Sequence, residues 1–188
     1  MGSPAHAERY LRWVTTQAGD GGHADNFDTH ALGRLYAVSA EPRKVTCFLR
    51  TSDHLLNRYS TLHGGCIATL VDTIGTAAIL TVSKRSGVSL SIQTNYLSPC
   101  PGLSVARIEA ELTKLGNNVA IAEVSVYDDA NGVLAARGVH LKALPKGKTV
   151  IPSDLEEMDD GLDRERDHYR TLAEDEQKKR VGGGRARL

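Results

Sequence analysis

The sequence predicts an α+β fold in which one antiparallel sheet wraps around a single long central helix. Two observations lead to this prediction. The stretch from Gly64 to Lys84 is apolar on nearly every side, so a helix formed there must be covered by other elements. Two strand patterns precede it and four follow it, joined by short turns. A curved sheet folded around the helix buries the apolar faces of both.

The first 30 residues are predicted to form a leader outside this domain. Its beginning can form a short amphipathic helix with Leu11 and Val14 on one face, followed by a glycine-rich loop. It lacks the apolar core of a signal peptide. Arg9 and Arg12 give it a weak matrix-targeting character that nearby acidic residues oppose. We therefore expect a cytoplasmic or mitochondrial matrix protein.

The compact domain is predicted to extend over residues 31–145. Its strands are expected at residues 34–40, 43–51, 88–97, 103–113, 118–127 and 133–144. The apolar faces of the fourth and fifth strands are expected to consist of Ala106, Ile108, Ala110, Leu112, Ala120, Ala122, Val124 and Val126. Lys84 and Arg85 are expected in the last helical turn, where they favour the helix dipole, with Gly87 as the stop.

Residues 146–188 form a charged tail. Ser153 and Glu156 match a capping box, and acidic residues precede basic ones at helical spacing further on. This pattern predicts a solvated segment that is partly helical or disordered, and a partner-binding role stays open.

Composition narrows the class of function. The chain has 188 residues with 24% charged and 40% hydrophobic residues and a formal net charge of zero. Such a balance disfavours nucleic acid as the main partner, and no apolar run is long enough for a membrane span. The three cysteines do not indicate a disulfide framework, and the seven histidines lack metal-ligand spacing. We therefore expect no metal and no cofactor.

Asp72 is the only charged residue between His63 and Lys84, within a helix that we expect to be buried. A lone buried carboxylate is costly, so it indicates either a functional group or a structural cap. Directly before the helix, His63-Gly64-Gly65 exposes backbone N–H groups at the positive end of the dipole. Such donors suit a developing oxyanion, although two glycines also make a plain turn.

The spacing of these residues predicts an obligate dimer if both are functional. His63 and Asp72 are nine residues apart in the sequence. Nine helical steps place them on opposite faces and about 13.5 Å apart along the axis. One reacting carbon cannot contact both in a single copy, so the aspartate should come from a second subunit.

The chain resembles the PaaI-type hotdog-fold thioesterases, most of all the subgroup of acyl-coenzyme A thioesterase thirteen. The similarity covers residues 31–144. The pieces that carry it are Asn57, Thr61-Leu62-His63-Gly64-Gly65, Ala68-Thr69-Leu70-Val71-Asp72, Gly87-Val88-Ser89 and Tyr96-Leu97-Ser98-Pro99. The resemblance implies a hydrolase of fatty or aryl acyl-CoA in lipid metabolism, built as a homodimer with shared active sites and assembled into a homotetramer.

The resemblance also implies residue roles. Asn57 and the Gly64 amide would polarise the thioester carbonyl, and His63 would orient Asn57. Asp72 of the partner subunit would activate water or attack directly, and Ser89 would help to place that water. CoA would contact Gly65, Tyr96, Leu97, Ser98, Lys114, Gly116, Asn117 and Val119. Family members often carry a basic residue where this chain has Asn117, so this position offers no positive charge to a CoA phosphate.

Three alternatives stay open at this point. A hotdog enoyl hydratase or dehydratase usually requires a catalytic histidine with an acid nearby, which Asn57, Asp72 and Ser89 match less well. The second alternative is a non-catalytic acyl-CoA-binding module, but such a module does not explain the presence of the Asp72 carboxylate in the apolar helix. Cys66, three residues after His63, could be a reactive thiolate, but a small core residue is the preferred interpretation. His140 is interpreted as a face residue of the last strand.

Overall fold

The computed structural model describes residues 2–15 and 26–146, with only the backbone of residue 37. The elements in chain order are α1 (Pro4–Thr15), α2 (Phe27–Leu32), β1 (Leu35–Glu41), β2 (Lys44–Arg50), a 3-10 turn (Asp53–Leu55), α3 (Gly64–Leu80), β3 (Val88–Tyr96), β4 (Val105–Leu115), β5 (Val119–Asp128) and β6 (Val133–Ala143). They form a six-stranded antiparallel sheet in the order β1-β2-β4-β5-β6-β3, with α3 packed against it. The predicted hotdog arrangement is confirmed.

The hydrophobic core lies between α3 and one face of the sheet. Leu70 and Ile74 of the helix are fully buried in it. The alternating faces predicted for β4 and β5 are buried as expected, from Ala106 to Leu112 and from Ala120 to Val126. Gly138 on β6 permits close packing here, because an added Cβ would lie 2.4 Å from a methyl group of Val71.

Two helices precede the sheet. The predicted amphipathic helix is present as α1, and its residues Ala7, Leu11 and Val14 join the core against α3. The short helix α2 was not predicted, because its six residues are too few for a clear period. It begins with a reciprocal capping box between Asn26 and Thr29. The proposed boundary after residue 30 stays a prediction, and the expected helical tail from residue 147 onward lies outside the described residues.

Helix α3 ends one turn earlier than predicted, at Leu80. The Thr81 hydroxyl donates to the Ala78 carbonyl and accepts the Arg43 N–H, both at 2.7 Å, and this connection to the sheet stops the helix. The prediction that Lys84 and Arg85 lie in the last turn is therefore wrong. Arg85 instead donates to the carbonyl oxygens of Asn117 and Leu144, at 2.9 and 3.1 Å.

Strand β3 is an edge of the sheet and pairs with β6 alone among the described strands. Its apolar residues Val88, Leu90 and Ile92 are 55%, 58% and 37% exposed. A long edge strand with exposed apolar side chains is a ready surface for pairing with another chain. Within the described residues, no helix combines the length and apolar character needed to cross a bilayer.

Candidate active site

The first group of candidate residues lies at the amino end of α3. His63 is the N-cap, and its Nδ1 accepts the Gly65 N–H at 2.9 Å. The Gly64 carbonyl accepts the Tyr96 hydroxyl at 2.9 Å, and a Cβ on Gly64 would lie only 3.2 Å from that ring. Among the described residues the Gly64 N–H has no hydrogen-bond acceptor. One backbone donor at the positive helix end therefore stays available, whereas that of Gly65 is occupied.

Asn57 organises the turn before the helix. Its Oδ1 accepts the N–H groups of Tyr59 and Thr61, at 2.9 and 3.2 Å, and its Nδ2 donates to Thr61 Oγ1 at 2.8 Å. A carboxamide has two N–H groups, so one is left for a substrate carbonyl. Among the described residues there is no hydrogen bond between His63 and Asn57. The implied orienting role of His63 is therefore not seen, because its ring caps the helix instead.

The second group surrounds the Asp72 carboxylate. Its Oδ1 accepts the Ser89 hydroxyl at 3.2 Å and lies 3.4 Å from His140 Nε2 and 3.9 Å from Lys142 Nζ. No described residue contacts Oδ2 by a hydrogen bond or ion pair. The expectation that Asp72 is buried is wrong, since its side chain is 44% exposed in the protomer. The carboxylate reaches towards the edge strand β3, where solvent has access.

His140 and Lys142 were not recognised as site residues in the sequence. His140 is fully buried and forms a 2.9 Å hydrogen bond to Ser89 Oγ, and Lys142 Nζ donates to Thr76 Oγ1 at 2.7 Å. A signal was present in β6, where Ala136, Gly138, His140 and Lys142 alternate with outward residues. Two ionisable side chains at buried positions of one strand indicate a functional site.

The electrostatics of this cluster favour an uncharged imidazole. Burial, followed by the Lys142 charge, lowers the pKa of His140 to about 4, against the opposing effects of Asp72. Burial also lowers the pKa of Lys142, and the Asp72 charge opposes this. The one hydroxyl proton of Ser89 is donated to Asp72, so the network assigns the His140 proton to Nε2, which donates to Ser89.

A β-bulge in β3 places Ser89 in this network. Ser89 pairs with Lys142, but the next paired residue is Ser91 opposite Leu141, which leaves Leu90 as an extra residue. Directly opposite residues of an antiparallel pair lie on the same face of the sheet. Ser89 therefore shares the inner face with Lys142, and bulges beside active sites commonly redirect a side chain in this way.

The two groups lie at opposite ends of β3. Ser89 approaches Asp72, whereas Tyr96, seven residues further on, approaches Gly64. Seven residues of strand correspond to about 23 Å. The structure therefore does not bring Asn57 and Gly64 together with Asp72 in one protomer.

The residues implied for CoA binding are divided in the same way. Leu97 and Ser98 follow Tyr96, and their N–H groups donate to the Ala135 carbonyl. The β4–β5 turn, which Gly116 closes by donating to the Val119 carbonyl at 2.8 Å, lies at the Ser89 end. The implied contact residues Lys114, near the end of β4, and Asn117, in the turn, are exposed.

Two other candidate chemistries find no support in the described part of the chain. Burial, with a smaller contribution from Cys100, raises the pKa of the Cys66 thiol to about 11, which favours its interpretation as a core residue. No group of three or more His, Cys, Asp or Glu side chains among the described residues could hold a metal ion.

Comparison with known proteins identifies related sequences and folds. The family model described as "Thioesterase superfamily" matches residues 59–135. Human acyl-coenzyme A thioesterase 13 is 38% identical over 122 residues, covering 64% of this chain and 86% of that protein. The structure of zebra fish thioesterase superfamily member 2 is similar with a TM-score of 0.67 at 33% identity, over 76% of this chain and 99% of that one. The Mus musculus member 2 structure gives 0.59 at 35% identity, over 62% and 86%.

Proposed function

This chain belongs to the thioesterase superfamily, and we propose that it hydrolyses the thioester of a fatty or aryl acyl-CoA to the free acid and CoA. One observation carries the proposal beyond the family. Oδ1 of Asp72 accepts the Ser89 hydroxyl, which His140 positions in turn, while no described residue binds Oδ2, so that this oxygen can meet a reactant. A carboxylate held in this way is a positioned base, and thioesters are reactive enough that a base and an oxyanion site suffice.

The reaction follows from these positions. Water attacks the thioester carbonyl carbon while Asp72 Oδ2 accepts its proton, so that a carbon–oxygen bond forms. The resulting oxyanion accepts hydrogen bonds from the Gly64 N–H and the second Nδ2 proton of Asn57. The carbon–sulfur bond then breaks, and the CoA sulfur takes up the proton held by Asp72. Direct attack by Asp72 on the thioester would use the same residues and form an anhydride that water cleaves. A single turnover in ¹⁸O-labelled water distinguishes the two routes, because attack of water on the Asp72 carbon of the anhydride labels the Asp72 carboxylate, whereas base catalysis labels only the product acid.

The active site is proposed to be shared between two subunits. The outer edge of β3, which pairs with no other described strand, supports this arrangement, because it exposes apolar side chains and backbone hydrogen-bonding groups. Antiparallel pairing of two β3 strands about a twofold axis would set the Ser89 end of one beside the Tyr96 end of the other. Each site would then combine Asp72 of one subunit with Asn57 and Gly64 of the other. The same pairing would join the two segments implied for CoA binding.

Two finer points complete the proposal. A homotetramer of two such dimers is expected from the resemblance to the family. A cytoplasmic or mitochondrial matrix location is in keeping with Cys47, Cys66 and Cys100, which are buried free thiols.

Thiol release from a series of acyl-CoA substrates tests the reaction. We expect release by the purified full chain that increases with enzyme concentration and depends on the acyl group. Binding of acyl-CoA without release from any substrate would instead support the non-catalytic module. Release that persists unchanged after Asp72→Asn would remove Asp72 from its assigned role.

Mixing two inactive variants tests the shared site. Asp72→Asn and Asn57→Asp are unfolded together and refolded as a mixture, so that subunits exchange. If each site takes one residue from each subunit, half of the dimers are mixed and each has one intact site, which restores about a quarter of parental activity. The separately refolded variants are the control. A mixture no more active than these controls contradicts the shared site.

A further inference from the structure

Lys142 is a buried cation that the mechanism above does not use. Its side chain is only 6% exposed, and it projects from β6 beneath the Asp72 carboxylate. Lysine is rarely buried without a partner or a function, because removing its charge from water is costly. We propose that Lys142 is a positioning residue whose charge, held by Thr76, fixes the Asp72 carboxylate and keeps His140 uncharged.

The geometry fixes the direction of the Lys142 ammonium group. The Thr76 hydroxyl donates its proton to the Asp72 backbone carbonyl at 2.8 Å. It can therefore only accept from Lys142 Nζ, which lies 2.7 Å away. The ammonium group is thus anchored one helical turn from Asp72, and its charge lies 3.9 Å from Oδ1. At this distance it acts on the carboxylate as a charge and not as a hydrogen-bond donor.

This placement leaves the reactive oxygen free. A direct ion pair would occupy the carboxylate and weaken it as a base. A charge anchored on a threonine instead stabilises the carboxylate from the Oδ1 side, where the Ser89 hydroxyl also binds. Oδ2 keeps its access to a reactant.

Lys142 also acts on His140, two residues earlier on the same strand. An imidazolium next to an ammonium group is disfavoured, and the Lys142 charge is the second-largest cause, after burial, of the lowered pKa of His140. A charged imidazole at 3.4 Å from Oδ1 would form an ion pair with Asp72 and compete with the proton of the attacking water. A neutral imidazole only donates to Ser89.

The other titratable groups around the cluster do not replace this charge. Tyr10 on α1 has a raised pKa, owing to burial and then to the charges of Asp72 and Asp28, so its hydroxyl is neutral. Asp28 on α2 has a raised pKa because of burial and the Asp72 charge. The carboxylates of Asp28 and Asp72 both add negative electrostatic potential to the cluster, and the positive charge of Lys142 offsets it.

The decisive experiment follows His140 protonation by NMR titration of the full chain, in the parent and in Lys142→Met. The His140 signal is assigned with His140→Gln. Lys44→Met, on the exposed face of β2, is the matched control. We expect the His140 pKa to rise by about one unit in Lys142→Met and to stay unchanged in the control. Lys142→Gln retains a hydrogen bond to Thr76 without the charge, so it should give the same rise, and it replaces the methionine variant if that one is unfolded.

Activity supplies a second readout, which rests on the proposed hydrolysis. We expect kcat to fall about tenfold in Lys142→Met with KM little changed, and the acid limb of the kcat profile to move to higher pH. Unchanged His140 titration in a folded variant overturns the inference, as does an unchanged pH profile. The NMR titration needs no turnover. An inactive parent would therefore contradict the proposed function, while the titration would still show whether Lys142 controls the charge of His140.

Discussion

The two ends of the segment from Asn57 to Asp72 are built in different ways. At the amino end, the Asn57 side chain bonds within four residues of itself and the His63 side chain within two, while the Gly64 carbonyl also accepts the Tyr96 hydroxyl from 32 residues away. At the other end, Asp72 is bonded to Ser89 seventeen residues away, and Ser89 to His140 at a separation of 51. The amino end is a local turn that is open to solvent. The Asp72 end is a network that exists only after the sheet has formed around the helix.

This difference predicts how each end fails when it is changed. At the amino end, the proposed oxyanion donors are the Gly64 backbone N–H and the Asn57 side-chain N–H. Loss of one donor should therefore leave the other in place and remove only part of the oxyanion stabilisation. In the proposed mechanism the network holds a single base, Asp72, among several supporting groups. The largest losses are therefore expected at Asp72, and smaller ones at the groups that support it.

Asp72→Asn should cause the largest loss, a decrease in kcat of about 10³-fold, because the amide cannot accept a proton from water. KM for acyl-CoA should change little, and circular dichroism should report an unchanged fold. Asp53→Asn, in the 3-10 turn before α3, is the matched control. A loss at Asp53 equal to that at Asp72 would show that the effect is not specific to the network.

Asn57→Asp should lower kcat/KM by about 10²-fold. The aspartate retains an acceptor for the N–H groups of Tyr59 and Thr61, so the turn is preserved. It replaces the N–H donor with a second acceptor, which repels the developing oxyanion. Steady-state kinetics provide the measurement. If this variant keeps the parental kinetics, Asn57 does not bind the thioester carbonyl, and the Gly64 N–H is left as the proposed donor.

Ser89→Ala should lower kcat by about tenfold, because His140 and Lys142 still surround Oδ1. Ser91→Ala is a close control, since the bulge at Leu90 places Ser91 opposite Leu141 on the other face of the sheet. Equal losses in the two variants would contradict the assigned role of the bulge.

Protonation of His140 should have the smallest effect on turnover near neutral pH, because the imidazole is uncharged there. Its effect on stability appears at lower pH. The unfolded imidazole takes up a proton below pH 6.5, whereas the folded one does so only near pH 4. Between these values the unfolded state binds more protons, so the free energy of unfolding falls as pH falls, by on the order of 3 kcal/mol. Chemical denaturation should show a smaller fall in His140→Gln across this range.

Sequence patterns alone predicted the hotdog fold correctly and supplied the candidate residues at the amino end of α3. Strand periodicity separated the buried face of β4 from its exposed face, since alternation is imposed by the pleat. His63 and Gly64 were recognisable because glycine at a helix start has a direct physical meaning, whereas Asn57 was identified only from the resemblance to the family. Asp72 was recognisable as a lone charge within an apolar helix.

The surroundings of Asp72 became evident only in the folded protein. The prediction that Asp72 is buried was wrong, because the sequence does not reveal that its carboxylate reaches an edge strand. His140 and Lys142 were missed because their partners, Ser89 and Thr76, lie 51 and 66 residues away. The bulge at Leu90 shifts the alternation of side chains in β3 by one residue. A strict two-residue period therefore assigns the residues after Leu90 to the wrong face of the sheet. Local interactions follow from chain neighbours, whereas a buried network depends on strand register, which is fixed when the sheet pairs.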